Sequence, residues 1–176
     1  NEGVVGVFMN DKIAVILEIN TETDFVAKNE VFLNFVEQIG IYALNTNNSL
    51  NLSLEDFLKY SIEGKKISEY FTDFIAKIGE NIVIRRLSFI HKDSNSEFFS
   101  YTHNAYRSNI GRICVILQAK VENNDENSKQ FGKNLCMHIA ASKPFALDIN
   151  KLDLSLIEKE KDIQLATIKS SGKPDN

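Results

Sequence analysis

The sequence has few residues that cross-link the chain or interrupt its secondary structure, with two cysteines and two prolines among 176 residues. It also has no tryptophan. Two cysteines are too few for a disulfide scaffold. Because Cys114 and Cys136 both lie in apolar patterns, a reduced, cytoplasmic compartment is favoured. Positive charge is also scarce, since 20 basic against 24 acidic side chains leave a net charge of −4. This balance argues against sequence-independent nucleic-acid binding and against a basic membrane-surface protein.

Long hydrophobic runs are lacking as well. Runs such as 14–17 are far shorter than the roughly 20 apolar residues that a membrane-spanning helix needs. The first residues, 1–3, contain neither a methionine nor a basic stretch, so no signal peptide is predicted and the chain is expected to be a fragment. The remaining composition, 43% hydrophobic and 25% charged, is typical of a globular protein.

Residue patterns that indicate catalysis or cofactor binding are absent too. His91, His103 and His138 are far apart, and no pair has metal-ligand spacing. No nucleophile elbow and no Gly-x-Gly-x-x-Gly pattern is found, and 171–173 resembles only the tail of a phosphate-binding loop. We therefore expect no enzyme active site, no metal and no cofactor.

Apolar periodicity predicts a mixture of strands and helices. Asn10-Asp11 separates two apolar runs, 4–9 and 13–19, as in a β-hairpin. Further strands are predicted at 82–84, 98–102 and 112–121. Apolar residues at three- and four-residue steps predict amphipathic helices. These helices cover 31–43, 66–78 with Gly79 as C′ residue, 131–140 and 152–168, and a shorter one opens at Ser53.

The two halves of the chain resemble each other. Residues 13–17 recur as 113–117, an offset of 100 residues, and each recurrence is followed by a helix. The pattern predicts an α+β fold of two pseudo-repeated subdomains, 1–92 and 93–176, each a small antiparallel sheet packed by helices. Residues 21–29 of the first half have no counterpart in the second, which points to this segment as the functional one.

Four stretches resemble one protein family in the same order along the chain. They are Thr23–Asn29 (Thr-Asp-Phe-Val-Ala-Lys-Asn), 78–82 with Arg85-Arg86, Met137–Pro144 and Ser171–Pro174. Together they resemble bacterial-type elongation factor Ts, the guanine-nucleotide exchange factor for elongation factor Tu. The resemblance implies that this chain is a core fragment. The family's N-terminal ubiquitin-associated-like module and its C-terminal end are then absent.

The resemblance also implies a function. The chain would be a translation elongation factor that binds elongation factor Tu, both GDP-bound and nucleotide-free, and promotes GDP release by disturbing the Mg²⁺ site. It would act in the cytoplasm, without a cofactor and without direct contact to nucleic acid or membrane. The alternative is a non-catalytic scaffold or a ribosome- or RNA-associated accessory domain, against which the acidic charge counts.

The resemblance assigns roles to particular residues. Asp24 and Phe25 would intrude near the partner's Mg²⁺, with Phe25 as an apolar wedge and Asp24 perturbing local charge or capping the next helix. The remaining positions would fix the turn or contact the partner: Thr23, Val26, Ala27, Lys28, Asn29, Ile113 and His138. Cys114 stands where the family usually has glycine.

Simpler readings of these residues stay open. Phe25 suits a core aromatic, since Phe32 and Phe35 follow at helical spacing. Asp24 suits a plain N-cap, and His138 suits a structural histidine. Arg85-Arg86 suits an exposed strand end, an ion pair with the acidic surplus or a partner contact.

Overall fold

The computed structural model describes residues 2–46 and 52–170. The strands are β1 (Glu2–Met9), β2 (Ile13–Thr21), β3 (Ser61–Ile62), β4 (Lys65–Lys66), β5 (Val83–His91), β6 (Ser96–Arg107) and β7 (Ile110–Lys120). The helices are α1 (Asp24–Ala27), α2 (Glu30–Asn45), α3 (Leu54–Lys59), α4 (Ile67–Ile78), α5 (Glu126–Ser142) and α6 (Leu154–Ser170), with a short 3₁₀ helix at Ile149–Lys151. The chain divides into two compact units, 1–141 and 142–176.

The first unit is built on a five-stranded antiparallel sheet in the order β5-β2-β1-β7-β6. Its first hairpin forms as predicted, because the side-chain oxygen of Asn10 accepts from the amides of Lys12 and Ile13 and closes the turn. The α+β class with an antiparallel sheet is therefore confirmed. The predicted division between residues 92 and 93 stays a prediction.

Strands of the two predicted halves join in one sheet, where the sequence pattern suggested two small ones. The junction is short: Val5 pairs with Gly111, Gly6 pairs with Ile110, and the amide of Val7 donates to the carbonyl of Asn109 at 2.8 Å. Without β7, these groups of β1 would be an unpaired strand edge, and pairing satisfies them.

One hydrophobic core lies between the sheet and α2, α3 and α4. Alternate residues of the first hairpin, among them Val4, Val15 and Ile19, belong to it, as period-2 strand geometry requires. Phe35 on α2 stacks on Phe74 of α4 with ring centroids 4.1 Å apart. The helices predicted from periodicity at 31–43 and 66–78 are confirmed, and Gly79 ends α4 with φ 80°, as the C′ prediction requires.

The second repeat places α5 against β6 and β7, and one of its contacts has an equivalent in the first repeat. In each repeat a helical glycine accommodates the ring of a strand phenylalanine. A Cβ at Gly40 would lie 2.1 Å from the ring of Phe8, and one at Gly132 would lie 2.2 Å from the ring of Phe99. The hairpin-then-helix repeat predicted from sequence is thus visible as a shared packing device.

The second unit contains the 3₁₀ helix and α6, and most of its other described residues belong to α6. The helix predicted at 152–168 is therefore confirmed. Among the described residues, no helix is both long and apolar enough to cross a membrane. The Ser171–Pro174 stretch used in the resemblance lies outside the described residues.

Candidate functional site

The segment that distinguishes the first repeat folds as a one-turn helix, α1, directly after β2. Thr23 is its N-cap, with extended φ and ψ, and its hydroxyl accepts from the amide of Val26 at 3.3 Å. The capping role considered for Asp24 is therefore wrong, since Asp24 is the first helical residue. Asn29 caps α2 by accepting from the amide of Val31 at 2.8 Å. Two caps within seven residues hold α1 as a separate element.

The three apolar residues of α1 have different environments. Ala27 is fully buried, and Val26 packs partly against the core. Phe25 is 83% exposed, whereas Phe32 and Phe35 are buried on α2. The reading of Phe25 as another core aromatic is therefore wrong. The Phe25 ring therefore lies in water beside buried neighbours, where a partner can reach it.

The N-terminus of α1 is tied to the turn that follows α4. The Glu80 carboxylate accepts from the Thr23 hydroxyl at 2.6 Å and from the Thr23 amide at 3.1 Å. In the same place the amide of Asn81 donates to the Glu22 carboxylate at 3.4 Å. The sequence resemblance contained 78–82 but gave it no role. Glu80 was missed because nothing local connects it with a residue 57 positions away.

Charged groups surround Phe25. Lys28 donates to the Asp24 carboxylate at 2.7 Å, and this bond holds the pKa of Asp24 below its ordinary value. The same contact raises the pKa of Lys28. Arg112 of β7 is close enough to lower the pKa of Asp24 further, and it forms its own ion pair with Glu2 at 2.5 Å. The charged groups near α1 therefore include two ion pairs, Asp24–Lys28 and Glu2–Arg112.

Ile113 lies on β7, next to Arg112, and is half-buried. It lines an open cleft of about 350 Å³ together with Cys114, Glu18 and Arg86. The Cys114 thiol donates to the Val5 carbonyl at 3.2 Å, and burial raises the pKa of this thiol.

The position of Arg86 tests the alternative interpretations of Arg85-Arg86. Its Nε lies 2.6 Å from the Glu18 carboxylate, and the Nε of Arg85 lies 3.9 Å from it. The ion-pair interpretation of Arg85-Arg86 is confirmed. Both residues lie inside β5, so the strand-end interpretation is wrong.

His138 lies on α5 and is exposed, as is its neighbour Met137, whereas Cys136 is buried. The site residues therefore lie on three elements. Thr23 to Asn29 form α1 and its flanks against β1 and β2, Ile113 belongs to β7, and His138 belongs to α5. Within residues 2–46 and 52–170, no group of three or more His, Cys, Asp or Glu side chains is arranged to hold a metal ion.

Comparison with known proteins identifies the family of this chain. The family model for elongation factor Ts matches residues 22–176. The chain is similar to curated proteins named Elongation factor Ts. It is 37% identical to the one from Bartonella henselae, 35% to one from Rhizobium etli and 33% to the one from Allorhizobium ampelinum, each over 175 residues. Each alignment covers 99% of this chain and 56% of the relative, so the chain spans little more than half of their length. The chain belongs to the elongation factor Ts family.

Proposed function

We propose that this chain acts in translation as a nucleotide exchange factor. It would bind elongation factor Tu in its GDP-bound form, promote GDP release and leave the nucleotide-free partner open to GTP. The observation that carries the proposal is the 83% exposure of Phe25 on a short helix that is tied down on both sides. Elongation factor Tu is proposed as the partner because of the family, and the exposed Phe25 ring is proposed as the group that acts on it.

The ring is suited to be an anchor in a partner's pocket. Transferring a phenylalanine side chain from water into an apolar pocket is worth about 1.5–3 kcal/mol. Binding energy at protein interfaces is concentrated in a few such desolvated anchors. Ala27, fully buried two residues later, fixes the helix against its own protein, so the partner receives a ring that is already held in place.

The proposed mechanism acts through the partner's metal site. Mg²⁺ demands near-octahedral oxygen ligands at about 2.0–2.1 Å and tolerates displacement poorly. A phenylalanine ring inserted beside that site would move its ligands and ordered waters, and weaker coordination would let GDP dissociate faster. Asp24 would bring a carboxylate to the same place. Like any exposed aspartate it is ionised at neutral pH, and its bond to Lys28 lowers its pKa further.

The remaining predicted contacts would extend the interface. Thr23, Lys28 and Asn29 are exposed around Phe25, while Val26 and Ala27 would act by fixing the turn. Ile113 and His138 would meet other parts of the partner. Because these positions lie on separate elements, they would give orientation, while Phe25 would perturb the metal site.

The test is release of fluorescent GDP from preloaded elongation factor Tu, with excess unlabelled nucleotide and this chain added. We expect acceleration by the unmodified chain. Phe25→Ala should reduce it about 10- to 150-fold, the factor that corresponds to losing 1.5–3 kcal/mol. Phe25→Leu should retain an intermediate rate because it keeps apolar volume.

The matched control is Phe145→Ala, which removes a phenylalanine that is 87% exposed elsewhere on the chain. It should exchange at the unmodified rate. No acceleration by the unmodified chain at tens of micromolar would contradict the exchange function. Normal exchange by Phe25→Ala would show that the wedge assignment is wrong even if the function is right.

A further inference from the structure

Helix α1 is too short to hold its own conformation. It has four residues, whereas isolated helices below about 12–15 residues are marginal in water. Its geometry must therefore come from tertiary contacts. The buried Ala27 fixes its C-terminal end, and Glu80 is bonded to its N-terminal end.

The contacts at the N-terminal end converge on Thr23. Both oxygens of the Glu80 carboxylate accept from it, one from the hydroxyl at 2.6 Å and one from the amide at 3.1 Å. Thr21, which is buried, donates its hydroxyl to the Thr23 carbonyl at 2.8 Å. Thr23 thus uses its amide, hydroxyl and carbonyl in fixed bonds. Hydrogen bonds to a charged carboxylate are stronger than neutral ones.

Glu80 is itself firmly placed. It follows Gly79, whose left-handed backbone ends α4, and α4 is anchored in the core by Phe71 and Phe74. Asn81 returns a second bond to the α1 side by donating to Glu22 at 3.4 Å. The Glu80 carboxylate therefore connects the end of a core helix, α4, to Thr23, the N-cap of α1.

We propose that Glu80 is a positioning residue, whose two bonds to Thr23 fix the direction in which Phe25 leaves the surface. The inference rests on the proposed function, in which Phe25 is the group that acts on the partner. Glu80 need not contact the partner. By fixing α1 in advance, Glu80 reduces the conformational entropy that the Phe25 ring loses when it binds the partner. We therefore expect removal of the Glu80 carboxylate to reduce the exchange rate about five- to tenfold.

The first experiment measures the ring's mobility without any partner. Because the sequence contains no tryptophan, Phe25→Trp introduces a single indole whose time-resolved anisotropy reports local motion. Glu80→Ala in this background should increase the amplitude of nanosecond motion, measured at a temperature where each variant is folded. Glu80→Gln, which keeps one acceptor oxygen, should restore part of the rigidity. Circular dichroism confirms that each variant is folded.

The matched control is Glu69→Ala. Glu69 is also a glutamate that accepts from a backbone amide at a helix start, here that of Lys66 at 2.9 Å. It lies on α4 and has no bond to α1. We expect Glu69→Ala to lower thermal stability while leaving the indole anisotropy and the exchange rate unchanged.

Unchanged anisotropy in Glu80→Ala, or an equal gain of motion in Glu69→Ala, would overturn the proposal. Exchange assays on Glu80→Ala with Phe25 intact then separate the two hypotheses. If Phe25→Ala exchanges normally, the wedge is wrong, and the anisotropy still decides whether Glu80 fixes the helix. If Phe25→Ala fails and Glu80→Ala exchanges at the full rate, the wedge stands and the positioning role is refuted.

Discussion

At the scale of single residues, the direction of each side chain on α1 decides what the segment can do. Three consecutive apolar residues, Phe25 to Ala27, pass from solvent to core within one turn. Helical spacing alone does not foretell which one faces out, because the helix is shorter than two turns and its start is set by Thr23. The family resemblance singled out Phe25, and the bonds to Thr23 and Asn29 explain its exposure physically.

Tyr42 on α2 carries a residue-scale prediction about pH. The nearby Tyr70 hydroxyl and burial raise its pKa to about 12, and Glu63 accepts from its hydroxyl at 3.1 Å. A pKa raised in the folded state gives stability that is complete below the ordinary value near 10 and is lost as pH rises through about 12. Tyr42→Phe should therefore lower the free energy of unfolding at pH 8, by about 1 kcal/mol for the lost hydrogen bonds.

The measurement is urea unfolding of both proteins between pH 8 and pH 12. The difference in unfolding free energy should shrink across the upper part of that range. A difference that stays constant to pH 12 would show that the hydroxyl does not titrate with a raised pKa.

At the scale of elements, the sequence predicted those helices and turns whose signals come from residues close together along the chain. The 3.6-residue period placed α2 and α4, and Asn10 marked the first hairpin turn, because each signal depends on nearby residues. The pairing of β1 with β7 was not foreseen. Gly6 and Ile110 face each other across more than 100 residues, and neither has a local feature that selects the other. The Glu80–Thr23 contact was missed for the same reason.

The turn between β6 and β7 is bound to α2 through one side chain, Arg107. Its guanidinium donates to Glu30, Asn34 and Glu37, each at 2.6 Å, and these bonds raise the pKa of Arg107. The arginine side chain is 22% exposed, whereas Glu30 is largely exposed, so screening by water reduces the value of that pair. The guanidinium group of Arg107 can bond to three side chains at once because it is planar and carries several N–H donors in fixed directions.

We therefore expect Arg107→Ala to lower the free energy of unfolding by about 1.5–3 kcal/mol, the range for hydrogen bonds to charged groups. Arg107→Lys should recover only part, since an ammonium cannot match the fork geometry. Lys59→Ala, which removes an exposed pair with Glu55 on α3, is the control and should change stability by less than about 0.5 kcal/mol. Equal effects of Arg107→Ala and Lys59→Ala in urea unfolding would contradict a special role for Arg107.

At the scale of the whole molecule, the open question is whether the two repeats behave as one folding unit or two. The sequence predicts a boundary between residues 92 and 93. Within 2–46 and 52–141, however, contacts cross that boundary in several ways. Ile110 is fully buried in the core built by the first repeat, Tyr106 packs against the same core, and Arg107 bonds to α2. We infer that the turn end of the second repeat's hairpin packs into the first repeat's core.

The equivalent glycines provide a test of this coupling. Gly40→Ala and Gly132→Ala each place a methyl group against a phenylalanine ring, at 2.1 Å and 2.2 Å before relaxation, one in each repeat. Overpacking of this kind costs about 1–3 kcal/mol, less the gain of up to about 1 kcal/mol from replacing a helical glycine by alanine.

If the repeats unfold together, Gly132→Ala in the second repeat will lower the hydrogen-exchange protection of α2 amides in the first, by the same free energy that it removes from α5 amides. Gly40→Ala will do the reverse, and their effects will add, because the two rings are in separate contacts. Native-state hydrogen exchange resolved by mass spectrometry measures both. Should Gly132→Ala loosen only α5 and its strands, the repeats are independent foldons, and the division near residue 92 would be a genuine boundary despite the shared sheet.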